Sequence, residues 1–178
     1  MRPLRPIYNK VKTVLSKLPT LGEGLGVGLF IACSSIDCPV QNTVECRYGI
    51  CDALGAQDTL KDTLYVWTQR MDGIDTLLLN RGVNLTQFAL PLSYQHGEDM
   101  LVLYTTDEGN VHQTHDTIWL KKNDIPHFES VDCATHFFHE LTGITYTRWS
   151  IDTIGINNSN VNYDPTVTHL NIRFKTRQ

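Results

Sequence analysis

From about residue 44 to the end, apolar and polar residues alternate over short runs. Thr63-Leu64-Tyr65-Val66-Trp67-Thr68 shows this most clearly, and it is rich in β-branched and aromatic residues. Successive side chains on a strand point to opposite faces, so such a run predicts a half-buried strand. The same reading applies to Ile74–Leu79, Met100–Thr106, Asp116–Leu120, Ile144–Trp149, Ile151–Ile156 and His169–Phe174. Turn formers bound the runs: Asp72-Gly73, His96-Gly97, Glu108-Gly109-Asn110, Asn123-Asp124, Asn157 to Asn160, and Asp164-Pro165. Many short strands at this spacing predict an all-β fold, an antiparallel β-sandwich of immunoglobulin-like or similar type. Asp72-Gly73 and Gly109-Asn110 suit hairpin turns. No run after Ser34 has long helical periodicity; Ala134–Leu141 has room for a helix of two turns at most.

The first residues follow a different pattern. Arg2, Arg5, Lys10, Lys12 and Lys17 precede an apolar run, Leu25–Ala32, broken by Gly26 and Gly28. A basic segment, a short apolar run and a small residue make the layout of a secretory signal. The run is far shorter than the ~20 residues of a permanent span. Leu29-Phe30-Ile31-Ala32-Cys33 resembles the bacterial lipobox, with Phe30 where leucine is usual. That resemblance implies acylation of the Cys33 sulfur and cleavage before it. More than one acyl chain on one residue anchors stably. The expected division is a cleaved signal segment at 1–32, a lipidated tether at 33–43 and a single β-sandwich domain at 44–178.

Charge sharpens this picture. Residues 1–32 hold five of the 15 basic residues and one of the 19 acids, leaving 10 and 18 in the mature part, a net −8. An acidic surface argues against nucleic acid as a partner. The 146 remaining residues are enough for one domain with a core. With Cys33 lipidated, Cys38, Cys46, Cys51 and Cys133 remain, an even count that suggests disulfides in an exported chain, with three possible connectivities.

Candidates for chemistry are sparse. No Gly-x-Ser-x-Gly and no phosphate-binding loop occurs. His112/His115 and His136/His139 are three apart, whereas His-Glu-x-x-His needs four. On a strand, His136 and His139 would face opposite ways; on a helical turn they would converge with His127, Glu129 and Asp132 within reach. His127, His136 and His139 are therefore weak metal candidates, and the expectation is no metal and no cofactor. Glu98-Asp99 and Asp107-Glu108 lie beside glycine and read as solvated turn acids. Trp67, Trp119 and Trp149 each lie in a predicted strand. Core packing is the favoured reading for them, and an exposed row would be a sugar-binding platform.

Several stretches together resemble a known group. They are IACSSIDCP at 31–39, KKNDIPHFESVDC at 121–133, FFHELTG at 137–143 and INNSNVNYD at 156–164. They are similar to a family of small uncharacterised lipoproteins of the Bacteroidetes, over nearly the whole chain. The resemblance implies a lipid-anchored, β-rich envelope protein with no assigned activity. It carries over Cys33 as the lipid site and Cys38 and Cys133 as recurring cysteines. On it rests the expectation that Cys38 pairs with Cys133; Cys46 and Cys51 would then pair locally, enclosing Arg47-Tyr48-Gly49-Ile50. It also implies that the triplets of Asp-Thr followed by Leu or Ile match the short sequon at which Bacteroidetes glycosylate exported proteins. Thr59, Thr63, Thr76, Thr117 and Thr153 are the acceptors so implied.

The function expected from all this is a non-enzymatic, lipid-anchored protein of the bacterial cell envelope with a structural or interaction role. Ser34-Ser35-Ile36 lacks an acidic run after Cys33, which favours the outer membrane facing the periplasm. The membrane is met through the lipid; the protein or glycan partner is open. Two rivals are a carbohydrate-binding module using the tryptophans and a metal-dependent hydrolase using the 127–140 cluster.

Overall fold

The structure, a computed structural model, describes residues 44–69, 72–73, 75–130 and 133–176. The expected signal segment, the tether, Cys33 and Cys38 lie outside the described residues. Ten strands follow in order: β1 (Glu45–Ile50), β2 (Thr63–Gln69), β3 (Asp75–Gly82), β4 (Gln87–Pro91), β5 (Glu98–Thr106), β6 (Gln113–His127), β7 (His136–Tyr146), β8 (Ile151–Ile156), β9 (Asn160–Val161) and β10 (Leu170–Phe174). They form a larger sheet, β3-β2-β5-β6-β7-β9, and a smaller one, β4-β1-β10-β8. All pairings are antiparallel except β1 with β10, which run parallel from Tyr48↔Leu170 to Ile50↔Ile172. The fold is an all-β sandwich, as the alternation predicts.

The core follows the period of two. Leu64 and Val66 of β2, Leu101 and Leu103 of β5, and Ile118 and Leu120 of β6 point inward from the larger sheet. Cys46, Tyr48, Ile50, Phe88, Leu90, Ile151, Leu170 and Ile172 meet them from the smaller one. Each large apolar side chain so buried stabilises by about 1.5–3 kcal/mol. Tyr48 and Phe88 stack across β1 and β4, with centroids 4.8 Å apart.

Several expectations change. Ala134–Leu141 is not helical: it enters β7, where inward His139 and Leu141 extend the alternation. Asn123-Asp124 is not a turn but lies inside β6, a strand of 15 residues. Asp124 turns inward to Lys122 and His139, while Asn123 faces outward and donates to Glu140 Oε2 at 3.3 Å, so the strand does not need to end. Ile144–Trp149 stops being strand at Tyr146. β1 is not among the expected strands, although Cys46, Tyr48 and Ile50 alternate inward with Glu45, Arg47 and Gly49 outward. Gly49 is required: a Cβ there would lie 2.9 Å from Thr168 Cγ2 and 3.3 Å from Asn171 Oδ1. The two hairpin turns hold, with Gly73 at φ 76° and Asn110 at φ 57°, both left-handed.

Between β7 and β8 the chain passes from the larger sheet to the smaller. Asp116, inward on β6 and fully buried, holds this corner. Its Oδ1 accepts from Thr147 Oγ1 at 2.7 Å and the Trp149 amide at 2.8 Å. Its Oδ2 accepts from the Ser150 amide and hydroxyl, each at 2.6 Å, and the Ile151 amide at 3.0 Å. Burial raises the carboxyl's pKa, but these donors outweigh it and hold it below its ordinary 3.8. The lowered value makes the carboxylate a stabilising group above pH 3.8, lost as pH falls through the folded value. Asp116→Ala is expected to cost about 3 kcal/mol or more, because it strands buried donors. Urea unfolding at pH 7 checks this; a loss under 1 kcal/mol would contradict the role assigned to the corner.

Candidate functional site

At the end where β5 begins, β6 and β7 bring charged groups inside. Lys122 Nζ, fully buried, donates to the carbonyl of Ser93, to that of His96 at 2.6 Å, and to Asp124 Oδ1 at 2.7 Å. Its own amide donates to Gly97 O at 2.8 Å. His139 Nδ1–H donates to the same Asp124 oxygen at 2.6 Å. Asp99, buried nearby, accepts the Ser93 amide at 3.0 Å. One lysine thus pins the 93–97 segment to the larger sheet, and the acids satisfy it. Desolvation, then the Lys122 charge, lower the His139 pKa against the pull of Asp124. Desolvation raises that of Asp99, although Lys122 opposes it. Above the network lies an open cavity of ≈ 590 Å³ between Thr68, Gln69 and Asp72 and the segment Ser93–Met100. The expectation of a solvated Asp99 is therefore corrected: β5 starts at Glu98, so alternation turns Asp99 inward. Asp107 does cap its hairpin, accepting the Val111 amide at 2.7 Å and pairing with His112 at 2.7 Å.

This cluster holds shape rather than a nucleophile. Cys46, on the opposing sheet, is buried, and desolvation pushes its pKa up to about 12. It points inward from β1 while Cys51 lies past its end, and both are free. The expected Cys46–Cys51 bridge is therefore overturned. Five residues of extended chain separate their Cα atoms by about 16 Å, and a disulfide closes at no more than about 7 Å. Odd spacing also turns the two thiols to opposite faces. Cys133, in the bend before β7, is disulfide-bonded. The partner expected for it, Cys38, lies outside the described residues.

The three metal candidates do not converge. His127 and His136 are cross-strand partners, their rings 5.8 Å from that of Tyr163, whereas His139 turns inward to Asp124. Among the described residues no group of three or more ligating side chains could hold a metal ion. The acceptor threonines all keep some exposure: Thr59 and Thr153 are exposed, and Thr63, Thr76 and Thr117 are half-buried. In four triplets the apolar residue is buried; Leu77 instead faces outward, 41 % exposed.

The tryptophans are the larger surprise. The core reading is corrected for all three. Leu64/Val66 and Ile118/Leu120 occupy the inward positions, so parity turns Trp67 and Trp119 outward on the larger sheet. Trp149, 72 % exposed, sits on the Asp116 corner. Trp67 belongs to a cluster. Tyr65 and Trp67 stack along β2 at 5.7 Å, and Tyr104, opposite Tyr65 on β5, stands 5.7 and 6.2 Å from them. His115, opposite Tyr104 on β6, closes the row at 4.8 Å. These rings lie on the face away from the core. The alternation of β2 and β5 contained this signal, because the inward set was already apolar without them.

The fold and this face define an all-β sandwich domain with an aromatic array on its outer surface. A family of unknown function (DUF6452) matches residues 52–174, and the chain belongs to it. No curated protein and no solved structure matches. The family span runs from Asp52, beyond Cys51, through β2 to β10.

The lowered pKa of His139 has a measurable consequence. Below the ordinary value of 6.5, the unfolded chain takes up a proton that folded His139 resists, so stability falls as pH drops through that window. His139→Gln should flatten the pH dependence of the unfolding midpoint between pH 6.5 and the lowered value; an unchanged slope would contradict this. Iodoacetamide should leave Cys46 unlabelled until the domain is denatured, and non-reducing peptide maps should contain no Cys46–Cys51 peptide.

Proposed function

We infer that the chain is a lipid-anchored, non-catalytic binding domain of the bacterial cell envelope. Within this reading it is one of the small lipoproteins of the Bacteroidetes that its sequence resembles, with Cys33 acylated and the outer membrane as its address. The binding role is carried by one observation: Tyr65, Trp67, Tyr104 and His115 form a ring array that the core does not need. Cross-strand ring pairs stabilise a sheet modestly, and a contiguous aromatic face beyond the core marks a surface for a partner.

The arrangement along the sandwich supports the reading. β1 starts at Glu45, opposite Pro91, and Lys122 grips the segment that follows Pro91. The described chain therefore enters the sandwich at the Lys122 end. A Cys38–Cys133 bridge would reinforce that junction, since Cys133 follows the far end of β6. The aromatic rows sit toward the β5–β6 hairpin, at the other end of the larger sheet. Glycans on exposed Thr59 or Thr153 would leave the rows open.

Cys33→Ser should abolish processing and membrane retention; unchanged fractionation and mass would contradict the anchor. The binding role has a separate test. Trp67→Ser should cost no more than about 2 kcal/mol of stability, the scale of lost ring contacts. A larger loss, like the 2–5 kcal/mol of a core Leu→Ala change, would make the array structural.

A further inference from the structure

We propose that the ligand of this outer face is a neutral polysaccharide, lying across β2, β5 and β6 over Tyr65, Trp67 and Tyr104. The proposal rests on the reading of that face as the working surface and adds the chemical class of its occupant. Two adjacent cross-strand rows make the site: Tyr65–Tyr104–His115, and Trp67–Val102–Thr117, with Leu77 beside Trp67. Three strands span about 10 Å at the usual spacing, room for a short run of sugar rings.

Three features select a sugar. First, a pyranose presents a face of C–H groups, apolar and slightly positive, which complements the negative face of an aromatic ring. The rings here hold one another at 18°, 46° and 61°, so the surface is set before the ligand arrives. Second, the ring hydroxyls need partners at the margin. His115 is exposed, Thr117 is half-buried beside the rings, and Thr63 and Gln113 stand one row further on. Third, the charge is distinctive. The mature chain is net −8, yet the two rows and Leu77 contain no lysine, arginine or carboxylate. A polyanion would meet repulsion from the domain and no compensating cation on the face. A strongly charged partner of either sign would find no group to pair with there.

The test uses affinity electrophoresis of the domain in gels carrying soluble β-glucan, xylan, mannan or galactan, with polygalacturonate as the anionic comparison. Retardation by at least one neutral polymer is expected, and none by polygalacturonate. Trp67→Ala and Tyr104→Ala should each weaken that retardation about five- to tenfold, the scale of one lost ring contact. Trp149→Ala, off the face, should change nothing. Tyr104→Phe keeps the ring and should retain most of the binding, and thermal melts establish that each variant is folded. No retardation by any neutral polymer, or retardation that survives both alanine changes, overturns the proposal. If the folded domain instead self-associates through this face, or binds a purified envelope protein only when Trp67 is present, the sugar is overturned while the binding role stands.

Discussion

The sandwich depends on one buried carboxylate. A β-sandwich needs its chain to leave one sheet and enter the other, and backbone donors at that corner cannot use the ladder hydrogen bonds. Asp116 supplies the missing acceptors. Its two oxygens take five donors from Thr147, Trp149, Ser150 and Ile151, and so fix where β7 ends and β8 begins. β8 then pairs with β10, and β10 with β1, which places the first and last strands side by side. The acid is inward on β6, so its position also sets the register of the core residues Ile118 and Leu120.

At the opposite end the same logic is applied with charges. Lys122, Asp124, His139 and Asp99 occupy inward positions that apolar residues hold elsewhere on β5, β6 and β7. Lys122 bonds two carbonyls of the 93–97 segment, so the lysine replaces packing with a directed lock. The core is complete without the outward rings of β2, β5 and β6, whose share in the fold is cross-strand pairing. That makes the aromatic array informative: ring against ring at 4.8 to 6.2 Å on the face away from the core.

The fold class was legible because period-two alternation survives in β2, β5 and β6. What stayed hidden had physical reasons. β1 keeps the alternation but is short and carries Gly49, which suits close approach to Thr168 rather than strand preference. β6 runs through Asn123-Asp124 because Lys122 and His139 satisfy Asp124, a fact of three dimensions. Asp99 read as a turn acid because its partner Ser93 lies across a loop. The Cys46–Cys51 bridge failed on strand geometry that could have been applied had β1 been recognised. The aromatic face was half legible: the inward set of each strand was apparent, but the pairing of Tyr65 with Tyr104 and of Tyr104 with His115 required the register.

The central claim is that the outer face of β2, β5 and β6 is the working surface, with a neutral sugar chain as its ligand. Chemical-shift mapping of the ¹⁵N-labelled domain during titration with the polysaccharide that binds tests it most directly. The account predicts shifts at the Trp67 indole and at residues 65, 67, 102, 104, 115 and 117, with Trp149 and the Lys122 segment unmoved. Shifts concentrated instead in the cavity beside residues 93–99, or around His127, His136 and Tyr163, would contradict it.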